Sequence, residues 1–189
     1  ASIASAFANG WANFGVRAAI LPLFAAVVIG KEPWVAGMAL AVFAAGNAVG
    51  LTVAGRMSDR LGRRPFIIGG LLVSGVATAV TGFATDLPTL VVLSVVAGFG
   101  AGALNPAQQA SLADVVGRER NGGPALAAFQ MSADTGAIIG PILAGLLIDY
   151  GSELALLLGV PASIVGVTMV AIGTSLPELV ATLTAIAKK

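Results

Sequence analysis

Few side chains in this sequence could do chemistry, and most of those stand singly inside long apolar runs. Arg17 and Asp134 are ionisable groups that fall near the middle of long apolar runs. Asn9, Asn13 and Arg17 recur at four-residue spacing, which on a helix places them on one face. Asn47, Gln108, Gln109 and Gln130 add carboxamides elsewhere. The densest charge is "GRMSDRLGRRP" at 55–65, with Arg56, Arg60, Arg63 and Arg64 against Asp59. Cysteine and histidine are absent, which removes thiol nucleophiles, disulfides, zinc and iron–sulfur sites, and histidine bases. No nucleophile–base set is visible, so the expectation is a non-enzyme without a cofactor.

The elements that hold these groups follow from composition. Of 189 residues, 57% are hydrophobic and 10% charged, with a mean hydropathy of +0.96; a soluble domain carries about 25% charged residues. A lipid bilayer is the solvent that suits such a chain. The net charge of +1 gives no global field for nucleic acid. The chain opens on Ala1 rather than methionine, which reads as a processed or internal fragment, and its first apolar run is too long and too rich in Asn and Arg for a signal peptide.

The expected fold is all-α: a bundle of six transmembrane helices at roughly 3–29, 34–55, 65–84, 88–112, 124–148 and 154–173, with a shorter apolar segment at 175–187. Turn residues punctuate the gaps: "GKEP" at 30–33, "TDLP" at 85–88, "NGGP" at 121–124 and "YGS" at 150–152. Eight of the ten basic residues fall on one side: the 55–65 loop, Arg118 and Arg120 after span four, and Lys188 and Lys189. By the positive-inside rule that side is cytoplasmic, and so are both termini. Glycine pairs at four-residue spacing, Gly46 and Gly50, Gly98 and Gly102, Gly136 and Gly140, suit close helix packing in lipid. "GFGAGA" at 98–103 is better read as such a face than as a nucleotide loop, since no strand precedes it and no Walker lysine follows.

Within the charged loop, Gly55 is expected to end span two with a sharp exit or a close contact. Asp59 is expected to cap the following turn. Gly62 allows a second reversal, and Arg63, Arg64 and Pro65 begin span three. Cations at a helix N-terminus oppose the macrodipole, so anionic lipid or an acidic partner must favour them. On physics alone the stretch reads as a topology-setting basic loop.

The stretch resembles the loop signature of the major facilitator superfamily, with Gly55, Asp59, Arg60, Gly62, Arg63 and Arg64 in place. "NPAQQASLADVVGRERNGG" at 105–123 resembles that family's span-four exit. "GAIIGPILAGLL" at 136–147, with Gly136, Gly140 and Pro141, resembles its Gly-Pro signature in helix five or the counterpart of that helix in the second half, and "FANGWANFGVRAAILPLFA" resembles the first helix of a half. The resemblance covers about residues 1–150 and implies a half of a secondary transporter that moves a small solute by alternating access. It implies a cytoplasmic latch at Asp59, Arg60, Arg63 and Arg64 that closes against the other half, so a second half or a homodimer is the expected partner. The glycine- and proline-rich fifth helix implies export or antiport, in a bacterial plasma membrane.

Inside the membrane, Asn9, Asn13, Arg17, Asn47, Gln130 and Asp134 read either as polar glue between helices or as the lining of a solute or proton path. An Arg17–Asp134 pair is one arrangement that would satisfy both charges.

The end of the chain reads differently. Ser175 and Glu178 match a capping box with Pro177 in the first turn, so the last helix is expected to break near Gly173. "AIGTSLPELVATLTA" resembles an alpha-repeat of cation/calcium exchangers, which implies Thr174, Ser175 and Glu178 as cation ligands. Hard cations want about six oxygens, which these residues do not complete. The reading divides the chain into 1–153, facilitator-like helices one to five, and 154–189, a sixth span plus a short exchanger-like helix. Two transporter signatures meeting near 150–158 also suit a fused or pieced-together chain. A further alternative is a membrane scaffold or accessory subunit that does not transport.

Overall fold

A computed structural model describes residues 2–25, 33–116 and 122–158, which are almost wholly helical. The first apolar run is one rod made of α1 (Ser2–Asn9), a π-helical segment (Gly10–Val16) and α2 (Arg17–Phe24). Then come α3 (Pro33–Leu61), α4 (Arg63–Thr81), α5 (Leu87–Val116) and α6 (Gly123–Leu158). Four stretches, Trp34–Leu61, Arg63–Thr81, Leu87–Asp114 and Gly123–Leu146, are long and apolar enough to cross a membrane. The described residues are all-helical, with the length and apolarity of membrane-spanning helices. The rest of the sixth span beyond Leu158, with the break near Gly173, lies outside the described residues.

Local chemistry sets the helix boundaries. Proline opens α3 at Pro33 and occupies the second position of α5 and of α6, where a missing N–H leaves no bond unmade. Asp86 caps α5: its Oδ1 accepts the Thr89 N–H at 2.9 Å, and the Thr89 hydroxyl donates to Oδ2 at 2.8 Å. These two bonds, the backbone one first, hold the Asp86 carboxyl below its ordinary value.

Two expected boundaries are corrected. Gly55 does not end span two; α3 runs through it to Leu61, and a Cβ there would meet nothing within 4 Å. The helix stops instead at Gly62, whose φ of +88° no ordinary L-residue adopts cheaply. The turn expected at 150–152 is also absent, because α6 continues through it to Leu158. One glycine inside a helix costs only about 1 kcal/mol and need not stop it.

Helix α5 lies between α3 and α4, and the seams are backbone on backbone. A Cβ on Gly46 or Gly50 would overlap the carbonyl of Val95 or Phe99, and one on Gly98 or Gly102 would overlap that of Phe43 or Asn47. Across the other seam, a Cβ on Gly100 would stand 2.5 Å from the Ser74 amide nitrogen. Half of the membrane window of α5 is therefore buried (50%), against 17% for α6. The first rod packs chiefly on α6: Gly10 meets the Ala133 carbonyl, Gly136 meets Phe7 and Trp11, and Gly15 meets Gly140. Apolar clusters close both ends. Leu21, Val35, Ala39 and Leu90 join α2, α3 and α5 at one end, and Ala6, Leu112 and Phe129 join α1, α5 and α6 at the other.

Candidate functional site

The charged junction is built by the sharp stop at Gly62. This glycine ends α3 and precedes α4 without a side-chain cap, so Arg63 and Arg64 stand in the first turn of α4. Asp59 is not the cap expected for that turn. It sits in the last turn of α3, with its Oδ1 3.5 Å from Arg63 Nη1. Arg63 also reaches the end of α5, donating from Nε to Asp114 Oδ2 at 2.5 Å and from Nη2 to Oδ1 at 3.2 Å. Two carboxylates thus supply the negative charge that the α4 N-terminus needs to tolerate an arginine. The ends of α3, α4 and α5 are tied through one guanidinium, while Arg56, Arg60 and Arg64 remain exposed. With both carboxylates more than half exposed (66% and 59%), the pairs contribute about 0.2–1 kcal/mol.

The second group lies inside the bundle. Asn9, Asn13 and Arg17 are all buried. Asn13 donates to Asn9 Oδ1 at 2.7 Å, and Asn9 donates to Asn105 Oδ1 on α5 at 2.6 Å. Arg17 donates from Nη2 to the Thr78 hydroxyl on α4, and its Cζ lies 4.4 Å from the centroid of the Phe43 ring on α3. Thr78 passes its own proton back to the Ser74 carbonyl at 2.7 Å. One face of the first rod is therefore hydrogen-bonded or stacked to three neighbouring helices. Asn47 is half-buried on α3 at the seam with α5.

Asp134 is placed elsewhere. It lies near the middle of the Gly123–Leu146 stretch, on an exposed face of α6, where its Oδ1 accepts from Gln130 Nε2 at 3.1 Å. The Arg17–Asp134 pair does not form, because Arg17 is turned into the α3–α4 side of the rod while α6 packs on another. Gly136 and Gly140 stand at the crossing with the first rod, and Pro141 is within α6. Thr174, Ser175 and Glu178 lie outside the described residues. Among those described, no group of three or more acidic side chains could hold a metal ion.

Sequence reading missed Asn105, Thr78 and Phe43 as partners. The signal for Thr78 was present: Ser74 and Thr78 stand four apart in an apolar helix, which marks a polar stripe. Phe43 gives no such signal, since a ring that receives a cation reads like any core aromatic.

The helices, the arginine-rich reversal at Gly62 and the glycine seams are those of one class of membrane bundle. The family model described as Major Facilitator Superfamily matches residues 3–187, and the chain belongs to this family. The matched range includes 150–158 and most of the segment that resembles an exchanger repeat. An uncharacterised MFS-type transporter of Mycobacterium tuberculosis is 33% identical over 125 residues, 66% of this chain and 21% of the relative. The multidrug resistance protein MdtH of Aeromonas salmonicida is 26% identical over 149 residues, 74% of this chain and 36% of the relative. A second uncharacterised MFS-type transporter of M. tuberculosis is 34% identical over 138 residues, 71% of this chain and 19% of the relative. The chain thus spans about a fifth to a third of the length of these curated relatives.

Proposed function

We propose that the chain is one half of a secondary transporter that moves a small solute by alternating access, exporting it in exchange for protons. The observation that carries this reading is Asp134. A carboxylate near the middle of a membrane span costs about 2.5–3.5 kcal/mol on insertion scales and persists where water or another protein surface meets it. Asp134 faces outward from this bundle with one neutral amide beside it. A second bundle, from a longer chain or a second copy, would cover that face and enclose a path along it. The junction at Asp59, Arg60, Arg63 and Arg64 would then meet that bundle on the cytoplasmic side of a bacterial plasma membrane, with both termini inside. The name of the MdtH relative, a multidrug resistance protein, points to drugs as first probes.

The test is made in proteoliposomes with an imposed pH gradient and ethidium as the probe. The protein extrudes the dye uphill, and Asp134→Asn abolishes gradient-driven extrusion while downhill exchange continues. Undiminished uphill extrusion by Asp134→Asn would remove the proton role. A partnerless monomer by native mass, with no flux of any dye, would favour the scaffold reading. Cation exchange through Thr174, Ser175 and Glu178 would instead appear as thermal stabilisation by Ca²⁺ or Na⁺.

A further inference from the structure

The first rod contains one structural oddity that the proposed transport cycle does not use: the π-helical segment Gly10–Val16. Its wide turn is explicit at its end, where the Arg17 N–H bonds to the Ala12 carbonyl, five residues back. Such a segment takes up about one residue more than an α-helix over the same winding.

That extra residue explains how Asn9 and Arg17 share a face. At about 100° per residue, eight steps of an unbroken α-helix would leave them about 80° apart. With one residue absorbed by the wide turn, the separation falls to about 20°. Asn9 thereby reaches Asn105 on α5 while Arg17 reaches Thr78 on α4 and Phe43 on α3. The backbone of the segment is also permissive at Gly10 and Gly15, which stand at a close crossing with α6 where a Cβ would meet Ala133 and Gly140. Pro22, in the next turn, has no N–H to give to the Ala18 carbonyl.

We infer that Gly10–Val16 is a register switch with two settings. In the setting seen, Arg17 is buried on Thr78 and Phe43. When the segment rewinds to α-helix, every residue after it advances by one position around the axis. Arg17 then takes the direction held by Ala18, which is exposed, and Val16 takes the slot of Arg17. The outer part of the rod turns by about 100° and the guanidinium passes from the interior to the bundle surface. Packed helices favour such discrete alternatives over continuous bending. The switch depends neither on the solute nor on the coupling ion.

The experiment uses nitroxides on cysteines introduced at Leu23 and Leu72, both exposed, in a chain with no cysteine of its own. Pulsed electron spin resonance on the protein in lipid nanodiscs reads their separation. Arg17→Ala removes the contacts that hold the buried setting, so a second distance gains population, displaced by up to about 8 Å for a 100° swing at side-chain radius. Deleting Ala12 removes the extra residue and leaves Arg17 in register, so that variant folds and keeps the original distance alone. The inference is overturned if Arg17→Ala retains the single original distance. It is equally overturned if the Ala12 deletion unfolds the protein or moves the label. A protein that switches but carries no dye would sink the transport proposal and leave the switch standing.

Discussion

Replacing Gly100 by alanine loosens the bundle, and the same change at Gly69 tightens it. A Cβ on Gly100 would lie 2.5 Å from the Ser74 amide nitrogen, 2.8 Å from the Gly70 carbonyl oxygen and 3.0 Å from the Ser74 Cα. Ordinary contact begins at 3.4 Å, so the closest approach is short by about 0.9 Å. All three atoms are backbone of α4, and no rotamer change relieves the overlap; α4 and α5 must part along their seam. Overpacking of this kind costs about 1–3 kcal/mol. Gly69 is also helical, in α4, and a Cβ there meets nothing within 4 Å. The helix-propensity gain of about 1 kcal/mol is common to both changes and cancels in their difference. Gly69→Ala therefore exceeds Gly100→Ala in stability by about 1–3 kcal/mol. Equilibrium unfolding in mixed micelles of mild detergent and dodecyl sulfate, followed by circular dichroism, measures both variants. Midpoints that shift together, in either direction, would refute the packing argument.

The ion pair between α4 and α5 is testable by a double-mutant cycle of Arg63→Ala and Asp114→Asn. Its coupling is about 0.5 kcal/mol at low salt and shrinks at high ionic strength, as expected for half-exposed partners. Asp86 gives a pH signature. Its carboxyl is held below the ordinary aspartate value, so its contribution to α5 is complete above that value and is lost as pH falls through the lower folded value. Amide exchange at Thr89 and Leu90 therefore accelerates in that acid window, and Asp86→Ala removes the acid step.

How much was legible in the sequence depended on whether a feature is local. The four-residue spacing of Gly46, Gly50, Gly98 and Gly102 was legible because close approach needs only the absence of a side chain. Pro33, Pro88 and Pro124 marked helix starts for a similar reason. The end of α3 was not legible, since Gly55, Asp59 and Gly62 all carry stop signals and only tertiary context selects Gly62. The shared face of Asn9, Asn13 and Arg17 was read from their spacing, but that spacing drifts on a regular helix. The wide turn at Gly10–Val16 restores it. The supposed Arg17–Asp134 pair shows the limit: two charges in different spans can be paired on paper, but which side of a rod each one faces is decided by packing.

The seams of α5 have a mechanical consequence. At the glycine crossings, where carbonyl oxygens would touch any added Cβ, backbone meets backbone with no side chain between to deform, and side chains are what give packed helices their compliance. Those three helices form a stiff slab. The first rod and α6 share a seam of their own, but α6 is otherwise little buried and the rod carries a wide turn and a proline. Load applied to the bundle is therefore taken up in that softer pair, and the slab transmits it from one membrane face to the other without changing shape.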